Sequence, residues 1–128
     1  MSIDKLHLAA TASTPTVDFD PDTGVLQLAG ESYPENAFDF FRPLLAWVAA
    51  YAEHGTTPVV AELALSYLNT SSIKSVMDLL DLLEAAHRAG RTVTVRWSYP
   101  EDNDRALEMI EEFKEEVTLP FFIVPVAL

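Results

Sequence analysis

The sequence contains no cysteine, which excludes disulfides, thiolate metal sites and cysteine nucleophiles together. Histidine is sparse. His7, His54 and His87 stand isolated from one another, with no second histidine at a ligand-like helical spacing, so neither a zinc nor an iron site is expected. Glycine numbers only four, too few to build a loop that cradles a nucleotide, and no serine sits in a nucleophile-elbow pattern. No apolar run is long enough to span a bilayer: the longest, Leu44 to Ala52, stops at Glu53 and His54, whereas a span needs roughly eighteen residues. Met1 to Leu8 carries Asp4, Lys5 and His7 where an export leader needs a continuous apolar segment, so a cytoplasmic location is expected. Positive charge is also scarce, with 8 Lys and Arg against 20 Asp and Glu and a formal net charge of −12. Such a surface repels phosphate backbones and anionic lipid heads, which argues against nucleic acid or membrane as partners. A basic patch on a protein partner would be attracted, although acidity also serves plain solubility.

What the chain does have is core material. At 128 residues and 49% hydrophobic content it fits one domain, residues 1–128, around one core. Val17 to Asp20 and Val25 to Gly30 read as short strands, and Pro21-Asp22-Thr23-Gly24 between them supplies a hairpin loop, so the chain is expected to open with a β-hairpin. Glu31 to Asn36 offers helix-capping candidates, a proline and a first-turn carboxylate. Ala37 to Glu53 then carries Phe38, Phe40, Phe41, Leu44, Leu45, Trp47, Val48 and Tyr51 at roughly helical spacing, with Pro43 predicting a kink or two successive helices. Pro58 to Leu65 is apolar on both alternating faces, the pattern of a central strand covered on both sides.

A second helix is expected from about Thr70–Ser72 to Ala89, ended by Gly90, with Ile73, Val76, Met77, Leu80 and Leu83 inward and Lys74, Asp78, Asp81 and Arg88 outward. Arg91 to Ser98 alternates as a strand. Glu101, Asp102 and Asp104 suit the first turn of a last helix, in which Leu107, Ile110 and Phe113 point inward, and Phe121 to Val126 closes as a strand. The βαβ units of the second half imply a mixed, partly parallel sheet of an α/β domain with an N-terminal hairpin and packed helices.

The segment Ser66-Tyr67-Leu68-Asn69-Thr70-Ser71-Ser72-Ile73-Lys74 joins the carboxyl end of the presumed central strand to a helix, where α/β folds usually place function. One structural account makes Thr70, Ser71 or Ser72 the helix N-cap. A functional account uses the same geometry: free N–H groups and the helix dipole favour an anion, so a phosphorylated hydroxyl would be held there. Gly30 to Asn36 likewise reads either as a strand-to-helix connection or as a partner contact through Tyr33 and its carboxylates.

Three segments carry a resemblance: Ser13-Thr14-Pro15-Thr16-Val17-Asp18-Phe19, Gly30-Glu31-Ser32-Tyr33-Pro34-Glu35-Asn36 and Tyr67-Leu68-Asn69-Thr70-Ser71-Ser72. In order and spacing they resemble the SiaC family of bacterial biofilm-regulating phosphoproteins, once a domain of unknown function, over nearly the whole chain. The resemblance implies a fold similar to anti-anti-sigma factors of the STAS type and a partner switch. A dedicated kinase phosphorylates a threonine, a PPM-type phosphatase removes the phosphate, and the unphosphorylated form binds and activates a diguanylate cyclase in c-di-GMP signalling. The matching acceptor is Thr70, with Ser71 and Ser72 as lesser candidates, and Tyr67, Asn69, Ser71, Lys74, Tyr33 and Glu35 are expected partner contacts. No cofactor is implied.

Two other function classes compete. An enzyme lacks a nucleophile, base or metal set, since the acidic pairs Glu111–Glu112 and Glu115–Glu116 most simply solvate a helix. A constitutive interaction or assembly module would use an aromatic face formed by Phe38, Phe41, Trp47 and Tyr51, and would show no dependence on phosphate.

Overall fold

The computed structural model describes residues 3–127, so Met1, Ser2 and Leu128 from the two chain ends lie outside it. Six strands and three helices follow in the order β1 (Leu6–Leu8), β2 (Thr16–Asp20), β3 (Val25–Ser32), α1 (Ala37–His54), β4 (Val59–Leu68), α2 (Thr70–Arg88), β5 (Val93–Pro100), α3 (Asp104–Glu115) and β6 (Phe121–Val126). The strands lie side by side in sequence order in one sheet. β1, β2 and β3 are antiparallel neighbours, while β3, β4, β5 and β6 run parallel. The hairpin expected at the start is therefore preceded by a further strand. Three residues, Leu6-His7-Leu8, are too few to show a period in sequence, but they pair with Phe19, Asp18 and Val17.

Each parallel step advances one position in the same direction, and right-handed crossovers then deliver all three helices to one face of the sheet. Burial follows. The row Val17, Leu28, Leu63 and Trp97 lies across successive strands on the helix side, and all four are buried. The next row, Asp18, Gln27, Glu62, Arg96 and Phe122, faces away and remains partly or fully exposed, with Arg96 Nε 3.8 Å from Glu62 Oε1. β4 is central, as expected, but covered on one side only. Val60 and Ala64 lie on the open face, where small apolar side chains cost little.

Trp97 anchors the core. It is fully buried, its indole N–H donates to the Leu65 carbonyl at 3.2 Å, and its ring stacks on Phe113 of α3 at 5.2 Å and on Phe121 of β6 at 6.3 Å. Gly24 closes the β2–β3 turn at φ +77°, where a Cβ would lie 2.1 Å from the Pro58 carbonyl oxygen. Only glycine fits that turn.

Two expectations for the helices change, those for the course of α1 and for the first turn of α3. α1 is one uninterrupted helix, not two: Pro43 sits on its exposed side, so the Asp39 carbonyl that loses a partner faces water. The aromatic face that an assembly module would use is not presented, because Phe41 and Tyr51 are buried and Trp47 is half-buried, leaving Phe38 exposed. In α3 only Asp104 lies in the first turn; Asn103 is the cap, and Glu101 and Asp102 fall in the preceding turn. Among the described residues no helix is long and apolar enough to cross a membrane.

Candidate functional site

The carboxyl ends of β3 and β4 meet the start of α2 through a slip in the ladder. Up to Leu65, paired with Gly30, β4 turns its odd-numbered residues inward; beyond it Glu31 pairs with Tyr67 and Ser32 with Leu68, so Ser66 is an extra residue and Leu68 now points in. Such a bulge re-aims the side chains that follow it. Here it sends Tyr67 outward beside Tyr33, the first residue after β3. The two rings meet edge-on at 6.2 Å, with Tyr33 44% and Tyr67 52% exposed. Tyr33 is held by its backbone N–H on the Ser13 carbonyl at 2.8 Å and by its hydroxyl on the Ala12 carbonyl. Tyr33, exposed and anchored in this way, loses little side-chain entropy on meeting a partner.

Asn69 organises the rest. Its backbone N–H donates to the Ser32 carbonyl at 2.9 Å, its Nδ2 donates to the Pro34 carbonyl at 3.3 Å, and its Oδ1 accepts from the Ser72 N–H at 2.9 Å. Asn69 is thus the N-cap of α2, and none of the three hydroxyls that follow it is. Expected among partner contacts, it is half-buried and engaged in architecture. Ser72 is fully buried and bonded to buried Ser32, Oγ to Oγ, at 2.8 Å. It is closed to a modifying enzyme while α2 is intact. Thr70 and Ser71 are exposed at the first two helical positions, and the capping role that a structural reading gave to Thr70, Ser71 or Ser72 belongs to Asn69.

The electrostatics single out this helix end. All three helices are capped by an asparagine, Asn36, Asn69 and Asn103, but α1 and α3 carry Asp39 and Asp104 in their first turns whereas α2 carries no acid there. The partial positive charge at its amino end is left without a carboxylate of its own. Lys74, one turn on, adds a full positive charge and is paired with Asp78 at 3.1 Å. Glu35 stands exposed in the β3–α1 connection. The site therefore gathers Tyr33, Tyr67, Thr70, Ser71 and Lys74 as exposed groups, with Asn69 and Ser72 beneath them.

Sequence reasoning missed the Ser32–Ser72 pair, since nothing marks two serines forty positions apart as neighbours. It also placed Ile73 in the core. Ile73 is 40% exposed, because the buried stripe of α2 runs through Ser72, Ser75, Val76, Leu79, Leu80 and Leu83. The signal for that rotation was Leu79, which the inward stripe read from the sequence left out.

A family model, SiaC family regulatory phosphoprotein, matches residues 8–126. The chain is 47% identical over 118 residues to an uncharacterized protein of Pseudomonas aeruginosa strain UCBPP-PA14, covering 92% of this chain and 94% of that one. Apo-SiaC from Pseudomonas aeruginosa superposes with a TM-score of 0.90 at 44% identity, over 95% of this chain and 99% of the other. A chain of the crystal structure of diguanylate cyclase SiaD in complex with its activator SiaC, from the same organism, gives a TM-score of 0.90 at 46% identity, over 96% and 99%.

Proposed function

The chain belongs to the SiaC family of regulatory phosphoproteins, and from that premise we propose that it is a partner switch whose phosphate acceptor is Thr70 and whose output is a diguanylate cyclase. A dedicated kinase transfers the terminal phosphoryl group of a nucleoside triphosphate to Thr70 Oγ1, which gives up its proton. A PPM-type phosphatase returns the hydroxyl by hydrolysis. The unphosphorylated form binds the cyclase and raises its production of c-di-GMP in a cytoplasmic circuit that governs biofilm formation, and the chemistry of the output belongs to the partner.

The observation that carries this reading is that Thr70 is exposed at the first position of α2 while Asn69 already caps the helix. The hydroxyl is free to be modified without unmaking the helix start, and it stands at a helix end without an acid of its own, where phosphate is favoured. Phosphate adds between one and a half and two negative charges to a chain already at −12, on the rim of an exposed aromatic pair. On a docking face, that charge weakens binding by repulsion and by the cost of desolvating it.

The test mixes the purified chain with a SiaD-type cyclase and GTP and follows c-di-GMP. Unmodified chain and Thr70→Ala should raise turnover, and Thr70→Glu or enzymatically phosphorylated chain should not. Equal activation by all forms would make the chain a constitutive assembly module, and no activation by any form would remove the cyclase from the reading.

A further inference from the structure

β6 forms one edge of the sheet, and its main-chain groups divide between two sides. The Pro120 and Val126 carbonyls accept from the Val95 and Glu101 N–H groups at 2.9 and 3.0 Å, so in this parallel ladder the even-numbered residues of β6 bond to β5. Phe121, Ile123 and Pro125 turn their groups outward. The proline therefore sits where β5 needs no N–H, and among the described residues nothing pairs with the N–H groups of Phe121 and Ile123. Natural edges are blunted by short length or by charge. β1, at the opposite edge, is three residues long and follows Lys5, whereas β6 runs for six residues without a charge, and its Phe122 and Val126 stand 55% and 42% exposed.

We propose that β6 pairs antiparallel with β6 of a second copy of this chain, joining the two sheets into one continuous sheet about a two-fold axis at Ile123. The register that overlaps both strands most fully is centred there, and it is self-complementary. The two Ile123 residues exchange both of their main-chain bonds, each Phe121 N–H donates to the Pro125 carbonyl of the other copy, and only the bond that a proline cannot donate is missing. Every outward N–H of the strand is then paired. On the open face, Phe122 of each copy lies directly across from Val124 of the other, an aromatic side chain against a β-branched one on both sides of the axis. A foreign extended segment would take the same main-chain bonds, but the second copy brings the matching side chains as well.

Local charge permits the pairing. Met109, Glu112 and Glu116 line the side of α3 toward α2, so helical spacing puts Leu107, Glu111 and Lys114 on the flank toward β6, with one charge of each sign. No residue of the Thr70 site lies in this seam. The pair would thus present that site twice, and the dimer stands or falls independently of the Thr70 reading.

Sedimentation equilibrium of the full-length chain from about 10 µM to about 1 mM should show a reversible dimer, which tightens as salt rises from about 0.05 M to about 0.5 M because each copy carries a net charge of −12. Phe122→Lys should weaken it at least about tenfold, while Phe38→Lys, at a comparably exposed aromatic on α1, should stay within about twofold. The lack of cysteine allows the register to be tested separately, since Phe122→Cys and Val124→Cys each carry a single thiol. Across the seam these two positions have Cα atoms about 4.5 Å apart, within disulfide reach, whereas like positions lie about 7–8 Å apart, beyond it. An oxidised equimolar mixture of the two variants should yield the mixed disulfide well above its statistical share. A monomer at every concentration, equal self-affinity of Phe122→Lys and wild type, or a mixed disulfide at or below the statistical share overturns the proposal.

Discussion

Glu84 offers the sharpest quantitative test of how α2 is held against the rest of the fold. Among the described residues it is the one buried carboxylate, near the end of α2. Its Oε1 accepts from the backbone N–H groups of Thr118 at 2.9 Å and Leu119 at 3.0 Å, and its Oε2 accepts from the Thr118 hydroxyl at 2.6 Å and from Arg88 Nε at 2.8 Å. One side chain therefore pins α2 to the link between α3 and β6. Burial by itself raises the pKa, but the hydrogen bonds from Thr118, Arg88 and Leu119 outweigh it and bring the carboxyl from 4.5 down to about 2. A drop of that size corresponds to at most about 3 kcal/mol. Because the Arg88 side chain is 68% exposed, solvent screens its share, and about 2 kcal/mol is left.

Glu84→Gln keeps an oxygen for the two backbone donors but turns an amide nitrogen toward the Arg88 donor. The variant should lose about 2 kcal/mol at pH 7, or roughly 8 °C in Tm for a chain of this size. The pH dependence is the sharper test. The folded pKa is depressed, so the contribution is fully present above about 4.5 and fades as pH falls toward about 2. The stability difference between wild type and Glu84→Gln, measured by urea titration at a series of pH values, should close over that window. Comparing the two proteins cancels the other carboxylates. A gap independent of pH, or a glutamine variant as stable as wild type at pH 7, would refute the reasoning.

Asn69→Ala should cost about 1–2 kcal/mol in chemical unfolding, because it removes the α2 cap and the tie to Pro34 together. Ser72→Ala should cost about 1–2 kcal/mol by leaving Ser32 unpaired in the core, and adding Ser32→Ala should cost less than the sum, which a double-mutant cycle measures. Gly24→Ala should destabilise by more than about 1 kcal/mol in thermal melts, since its Cβ meets the Pro58 carbonyl and its φ is positive.

Most of the fold was legible because its elements are long enough to show a period. The α2 boundaries, the β6 span and the central place of β4 follow from alternating or helical apolar residues with glycine and proline at their ends. The misreadings have a common cause. β1 is three residues long, too short to show a period, and the open face of β4 looked buried because valine and alanine do not report which side carries helices. Topology supplies that: three crossovers in one direction leave one face bare. The segment was read as joining the end of a central strand to a helix, as the structure has it, but the residue that caps that helix was not identified. Asparagine and three hydroxyls in a row are all capping types, and only the structure distinguishes which oxygen reaches an N–H.

That division bears on what kind of switch the loop can support. Were Thr70 the cap, phosphate on its hydroxyl would disrupt the bond that starts α2, and the signal would be partial melting of the helix, at about 1 kcal/mol. With Asn69 as the cap, phosphate at the first helical position meets the positive end of α2 and favours the helix by about 0.3–1 kcal/mol. Helix melting is thus the wrong sign. The buried Ser32–Ser72 bond and the three bonds of Asn69 hold the underlying backbone in either state. A signal carried by phosphate on Thr70 would then act as differential affinity at the surface, with the fold constant and the charge changed. Circular dichroism of phosphorylated and unphosphorylated chain should therefore coincide while their affinities for the partner diverge, and a loss of helix content on phosphorylation would contradict the role assigned to Asn69.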